Sequence, residues 1–359
     1  MQRIVFAGVT SLALLLLLLT CPTLSAQETA IPVLNSAAFP GTAIGDICYD
    51  PFSNQVYVLD LNTFDTHTYT ATLGYIGVTP AAFPPNEAVY GITTDPASGA
   101  VIWATSNGLT GLNSIYASIT VGAVPTFIAN IASPTLGTVF GIDAAIGFAG
   151  TLLINDISGS AHVSDYFGTA LIPPTPLAPV GASFGISHLG GVYSAHSTQT
   201  VGTAGTVVDN LFLTDLSTGL PVDNVGVLLS PSGNGSFGID YGAMTAAGAN
   251  TLYYGDQATN SIVHTTIQRT FIRGDANSDG VFNVADAIFM LVFKFQGGPP
   301  PTCPDAADTN DDGICNLSDA VTLLNALFAG APIPAPSFIC GFDPTPDANR
   351  CLLSSGNCP

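Results

Sequence analysis

Positive charge is the scarcest property of this chain of 359 residues: Lys and Arg number five against 25 Asp and Glu, a formal net charge of −20. From Gln27 to Gln268 there is no Lys or Arg at all, while fifteen Asp and Glu fall in that stretch. A surface without cations cannot neutralise phosphates, which excludes nucleic-acid binding and a cationic clamp on phosphorylated or carboxylated substrates. Long apolar runs are also missing beyond the N-terminus, where no stretch approaches the roughly 20 residues of a membrane span. There is no G-x-S-x-G, no P-loop pattern (Ser230-Pro-Ser-Gly-Asn-Gly235 reads as a turn) and no paired C-x-x-C. The sequence marks of a serine hydrolase, an NTPase and a zinc knuckle are therefore absent. Glu28 and Glu87 are the only glutamates between Gln27 and Gln268, so a glycosidase would have to be built there from aspartates.

At the front, Arg3 precedes an uncharged run ending in Leu12-Ala-Leu-Leu-Leu-Leu-Leu-Leu19, followed by Pro22-Thr-Leu-Ser-Ala26. A basic start, a short apolar core and small residues predict an export signal over 1–26, cut after Ala26, and a mature chain without a membrane span. Lipid attachment at Cys21 is the rival reading, and Thr20 is a poor neighbour for it. The expected location is secreted, extracellular or at the cell surface. Six cysteines remain: Cys48, Cys303, Cys315, Cys340, Cys351 and Cys358. An even count in an exported chain predicts disulfides around a small C-terminal unit, with fifteen pairings open. Residues 349–359 form a Cys-containing tail.

Residues 27–268 are rich in Gly, Ala, Ser, Thr, Val, Ile and Leu, with Pro and Gly breaking short apolar runs. That is the profile of a mainly β domain with many turns. A Gly-then-Ile or Gly-Asp-Ile start recurs at Ile47, Ile92, Ile142, Ile186 and Ile239, at intervals of 45, 50, 44 and 53 residues. Most starts are followed by an apolar strand ending near an acid or hydroxyl, as in Val56-Tyr-Val-Leu-Asp60, Val101-Ile-Trp-Ala-Thr105, Leu152-Leu-Ile-Asn-Asp156 and Leu252-Tyr-Tyr-Gly-Asp256; the fourth copy reads Leu211-Phe-Leu-Thr-Asp215. Such periods mark the blades of a β-propeller, five by the copies visible and six if a blade hides in a longer interval. A sandwich or solenoid is the competing architecture. Asp50-Pro51 and Asp95-Pro96 make the first copies similar to secreted bacterial propellers whose blades run Gly-Ile-x-x-Asp-Pro … Val-Tyr-Val-x-Asp. That resemblance implies a fold and not a ligand.

Two acidic stretches follow, Asp275-Ala-Asn-Ser-Asp-Gly-Val-Phe-Asn-Val-Ala-Asp286 and Asp308-Thr-Asn-Asp-Asp-Gly-Ile-Cys-Asn-Leu-Ser-Asp319, 33 residues apart. A hard dication needs six to eight oxygens, which a loop supplies from positions 1, 3, 5, 7, 9 and 12 with Gly at 6. The first stretch offers Asp275, Asn277, Asp279, the Val281 carbonyl, Asn283 and Asp286, with Gly280 at the turn. The second offers Asp308, Asn310, Asp312, the Ile314 carbonyl, Asn316 and Asp319, with Gly313. This predicts two calcium ions. After each loop, Ile288, Leu291, Val292 and Phe295, and then Val321, Leu324 and Phe328, fall at helical spacing. Two short helices are expected to pack these faces together, with no comparable helix ahead of either loop.

Loop then helix, twice, resembles the type I dockerin repeat over roughly residues 270–348, with Phe271-Ile-Arg-Gly-Asp275, Gly-Gly-Pro-Pro-Pro and Cys340-Gly-Phe-Asp-Pro-Thr-Pro-Asp347 flanking it as in a variant of that family. The resemblance implies a dockerin-like, EF-hand-type calcium domain over 269–348. In cellulosomal dockerins, loop positions 10 and 11 carry hydroxyl residues that contact cohesin. Here they are Val284-Ala285 and Leu317-Ser318, so a cohesin partner does not follow.

In the repeat region Asp60, Asp156, Asp215 and Asp256 recur near strand ends, as turn acids or as a candidate catalytic pair. His67, His162 and His264 follow three of them by six to eight residues; with His188 and His196 they are the chain's five histidines. They read as strand residues or as a ring of ligands near an axis. The first function expected is a secreted calcium-binding protein whose propeller binds or scaffolds a protein or glycan at the cell envelope. The alternative is a polysaccharide-degrading O-glycosyl hydrolase carrying a dockerin module.

Overall fold

The computed structural model describes residues 33–359 except 132–137, 145–149, 157–158, 178–182, 191–192, 202–206, 229–235, 242–249, 257–258, 268, 346–348, 350, 352–357 and 359. The expected export signal over 1–26 lies outside them. The first part is mainly β, built as a propeller-like ring of small antiparallel sheets. Four of these are made of consecutive strands. β2 (Ile44–Asp50), β3 (Gln55–Asp60), β4 (Thr66–Thr70) and β5 (Tyr75–Thr79) form one, and β6 (Glu87–Thr94), β7 (Val101–Asn107), β8 (Asn113–Ser118) and β9 (Thr126–Asn130) the next. β10 (Val139–Ala144), β11 (Thr151–Asp156), β12 (Ser160–Asp165) and β13 (Ala170–Pro176) follow, then β14 (Ser183–Gly190), β15 (Tyr193–Val201), β16 (Val207–Asp215) and β17 (Leu220–Leu228). A further sheet is composite: β18 (Ser236–Tyr241), β19 (Asn250–Asp256) and β20 (Ser261–Ile267) are completed by β1 (Val33–Ala38), which pairs with β20.

The innermost strands pack in cyclic order, β2 on β6, β6 on β10, β10 on β14, β14 on β18 and β18 back on β2. Tyr253 Oη also donates to the Ala71 carbonyl (2.6 Å) across the junction closed by β1. Joining a strand from one end of the chain to a sheet from the other leaves no break in the ring. Second strands are near-continuous apolar runs because both faces are covered: β3 and β11 are buried from their second residue onward. Outer strands β1, β5 and β9 are largely exposed.

The core lies between sheets. Tyr57, Leu59, Val89, Ile92 and Trp103 join the first two, and Ile102, Ile115, Ile142 and Ile154 the next two. The recurring glycine of the inner strands sits at a register shift in β6 and in β10. At Gly91 a Cβ would come within 2.9 Å of the Ile142 backbone nitrogen, so the close approach of neighbouring inner strands requires glycine there.

The fourth copy differs from the reading of its sequence. Leu211–Asp215 belongs to the third strand, β16, and the second strand is β15, paired with β16 over nine residues from Tyr193↔Asp215 to Val201↔Val207. Lengthened strands fill the long interval, and no sixth sheet occurs among the described residues.

Beyond the ring the described residues form three helices: α1 (Val284–Gln296), α2 (Pro304–Ala307) and α3 (Leu317–Ala329). Asn283 and Asn316 cap α1 and α3, with Asp286 and Asp319 completing capping boxes, and both helices end on left-handed glycines, Gly297 and Gly330. α1 packs on α3, on only part of the faces expected: Leu291 packs on the shared core, and Val292 and Leu324 are half-buried. Ala287 and Met290 of α1 and Ala320 and Leu323 of α3 are buried, while Ile288, Phe295, Val321 and Phe328 are exposed. The inward stripe is set by Asp286 and Asp319: residues one and four positions after each acid share the face that holds it. α2, a single turn of four residues, stands directly ahead of the second loop and is not comparable to α1 or α3, of 13 residues each. Disulfides join Cys303 to Cys351 and Cys340 to Cys358; Cys48 and Cys315 belong to neither. The even cysteine count therefore does not mean complete pairing; Cys48 is buried within the ring, on β2.

Candidate functional site

The two acidic loops fold alike. Asp275, fully buried, accepts the N–H groups of Asp279 and Gly280 (both 3.0 Å), and Asp308 accepts those of Asp312 (3.2 Å) and Gly313 (2.8 Å). Asn277 Oδ1 accepts from Asp279 N (3.0 Å) and Asn310 Oδ1 from Asp312 N (3.1 Å). Asp279 and Asp312 take the N–H of Val281 (2.8 Å) and Ile314 (3.0 Å). The Val281 and Ile314 carbonyls accept from the amides of Asn283 (3.1 Å) and Asn316 (3.0 Å). Asp286 closes the first loop on Asn277 N (3.3 Å) and Asn283 N (2.9 Å), and Asp319 closes the second on Asn310 N (3.1 Å) and Asn316 N (2.8 Å). Gly280 and Gly313 have φ of 81° and 80°, which an L side chain would resist.

Burial, with Asp275 and Asp279 adding repulsion, pushes the Asp286 carboxyl up to about 6; burial, with Asp308 alongside, does the same to Asp319. All twelve residues expected at these positions are thus gathered into two loops of one design. Among the described residues no three Asp, Glu, His or Cys side chains converge as a ready-made metal group. The loop oxygens are instead engaged by the loops' own N–H groups and amides.

Arg273 was not singled out from the sequence. It is fully buried, and its guanidinium donates to the carbonyls of Ala335 (3.1 Å), Asp305 (3.2 Å) and Asp308 (2.7 Å) and pairs with Asp311 (3.0 Å) and Asp343 (2.8 Å). One planar cation thereby ties the segment ahead of the first loop, α2, the second loop and the tail together.

At the ring axis the residues that matter are also ones the repeat pattern did not nominate. Asp46, 2% exposed, sits on β2 and accepts the N–H groups of Ile47 (3.1 Å), Ile92 on β6 (3.0 Å) and Ile142 on β10 (3.2 Å). Asp143 on β10 accepts from Thr93 of β6 (3.0 Å) and Ser187 of β14 (2.9 Å). Burial pushes the Asp46 carboxyl well above its usual range, against the three N–H groups that favour its charge. The available signal was the Asp inserted into one Gly-Ile start, Gly45-Asp46-Ile47.

The strand-end acids cap turns. Asp60 accepts from Thr42 N (2.6 Å) and Asn62 N (2.9 Å), and Asn107, at the equivalent point of the next sheet, accepts from Leu109 N (3.0 Å) and Thr110 N (3.1 Å). An amide in the same role argues for hydrogen bonding rather than acid chemistry. Asp156 takes Ser160 N (3.0 Å), Asp256 takes Thr259 Oγ1 (2.6 Å), and Asp215, on a third strand, takes Ser217 N (2.8 Å). His67, His162 and His264 lie on the third strands β4, β12 and β20, away from the axis. His67 packs edge-on against Phe39 and His264 stacks on Tyr253 at 4.4 Å. His162 is fully buried with no hydrogen-bond partner for either ring nitrogen among the described residues, and burial lowers it to about 4. The backbones of His188 and His196 lie in β14 and β15.

No helix among the described residues is long and apolar enough to cross a membrane, and the two disulfides are compatible with an extracellular protein. No family model matches the chain, and no curated protein matches it. Among solved structures, a chain of the crystal structure of a nidogen/laminin complex is similar over 56% of this chain and 69% of its own, at 16% identity and a TM-score of 0.38. That likeness is too distant to carry an argument.

Proposed function

We propose that this is an exported, calcium-stabilised protein in which a five-bladed β-propeller serves as a binding or scaffolding module and a dockerin-like C-terminal segment as a stabilising or attachment module. Its partner would be a protein or glycan at the cell envelope. One observation carries the reading: two loops, 33 residues apart, repeat the same hydrogen bonds around the same oxygen-bearing positions. The donor set suits a hard dication, being all oxygen, with two buried carboxylates per loop. Asp286 and Asp319 are pushed toward neutrality by burial and crowding, and a dication beside them would hold them ionised. Occupancy would turn the Asn277 and Asn310 amides, which now donate to Asp279 and Asp312, so that oxygen faces the ion. Export is favoured by the disulfides and by the signal-like first 26 residues.

The test is hydrogen exchange of the full chain with calcium and with chelator. Chelation is expected to release the amides of α1 and α3 while those of β3, β7, β11 and β19 stay protected. Unchanged protection of both helices would sink the calcium reading.

A further inference from the structure

The second loop is held from outside by the tail. Asn349 Nδ2 donates to Asp308 Oδ2 at 2.7 Å, and Thr345 Oγ1 donates to Asp311 Oδ2 at 2.8 Å. The Cys303–Cys351 disulfide anchors the tail two residues after Asn349, and joins it to the residue just ahead of α2, which leads into the loop. Cys351 N also donates to Asp305 Oδ2 (3.2 Å). Asp308 Oδ2 takes Gly313 N (2.8 Å) as well as Asn349, which uses both of its lone pairs. The carboxylate of loop position 1 is therefore locked in rotation, with Oδ1, which accepts Asp312 N (3.2 Å), placed as the oxygen that can meet an ion.

We infer that Asn349 is a positioning residue for the cation site of the second loop. The inference rests on the calcium reading above and goes beyond it by placing a control point outside the loop, in the disulfide-anchored tail. An amide that fixes a ligating carboxylate acts on affinity without touching the metal, and loss of such a partner typically weakens binding about 10–100-fold. Thr345 holds the same loop through Asp311, which is at position 4 and is not a ligand. It separates carboxylate positioning from general support by the tail.

The experiment is a calcium titration of the full chain followed by nitrogen–proton correlation spectra. The Gly280 and Gly313 amides, which donate to Asp275 and Asp308, report on each loop separately. Asn349→Ala is expected to raise the calcium midpoint at Gly313 at least about tenfold and leave that at Gly280 in place. Thr345→Ala should leave both midpoints within about twofold. Cys303→Ser combined with Cys351→Ser, which frees the tail, should shift Gly313 at least as far as Asn349→Ala. The inference is overturned if Asn349→Ala leaves Gly313 unmoved, if both glycines shift together, or if Thr345→Ala has the same effect. If neither glycine of the unaltered protein responds to calcium, the calcium reading itself fails and takes this inference with it.

Discussion

Asp46 is where a single side chain is asked to hold several strands. Its carboxylate receives N–H groups from three different inner strands, two of them on Oδ2, and is 2% exposed. Asp46→Ala removes the acceptor and leaves three buried donors at the axis. Each unsatisfied donor costs about 1–3 kcal/mol. The loss of a buried charge that was itself costly to desolvate offsets part of this, since burial has already raised the Asp46 carboxyl. A net loss of about 3–5 kcal/mol is expected, large beside the roughly 5–15 kcal/mol of a typical domain. For a ring of this size each 1 kcal/mol moves the midpoint by about 2–4 °C, so the β signal should melt roughly 6–20 °C lower. Asp46→Asn keeps one oxygen, enough for the Ile92 and Ile142 bonds, but turns an NH2 toward the Ile47 N–H; it should fall between the two. The assay is thermal unfolding by circular dichroism near 215 nm in calcium buffer. An Asp46→Ala midpoint within 2 °C of the unaltered protein would refute the claim that the axis is tied by this carboxylate.

Two further perturbations follow the same logic. Arg273→Ala leaves Asp343, nearly all of Asp311 and three carbonyls without their cation in a largely buried site and should cost about 3 kcal/mol, read as early exchange of the α1 and α3 amides with the ring unaffected; equal protection in the variant would contradict it. His162 is held at about 4 against an ordinary 6.5, so the unfolded chain takes up its proton first as pH falls. Its neutral form contributes stability that is fully present above about 6.5 and is lost as pH drops toward 4, up to about 3 kcal/mol. His162→Leu should flatten that acid-side slope in denaturant titrations from pH 7 to pH 4, and an unchanged slope would show that the proton goes elsewhere.

What was legible in the sequence follows from the range of the interactions. The C-terminal loops are closed by bonds between residues two to nine apart, such as Gly280 to Asp275 and Asn277 to Asp286, so their spacing is written in one contiguous string. Inner strands were legible as Gly-Ile starts because the glycine sits in a crowded place in more than one sheet: a Cβ at Gly91 would meet the Ile142 backbone, and one at Gly141 the Asn155 side chain. The fourth copy misled because an apolar strand ending in Asp describes a third strand, β16, as well as a second one; only pairing with β15 tells them apart. The helix faces misled because large residues are not always the buried ones: Asp286 and Asp319 must turn inward to close their loops, and they drag Ala287 and Ala320 inward with them.

Asp46, Arg273 and Asn349 escaped for the opposite reason to the loops. Asp46 meets Ile142 across 96 positions, Arg273 meets Asp343 across 70, and Asn349 meets Asp308 across 41. None repeats at the period of its neighbours, and each joins segments that local propensity treats as unrelated. Ring and loops therefore divide the labour: repeated local patterns make the blades and the acidic turns, and single long-range polar residues fix how those pieces meet. On that argument, conservative substitutions at the repeated strand-end turns, such as Asp60→Asn, should be tolerated one at a time, because Asn107 already fills the equivalent place in the next sheet. Asp46 and Arg273 have no second copy to share the load, which is why the sharpest losses are expected there.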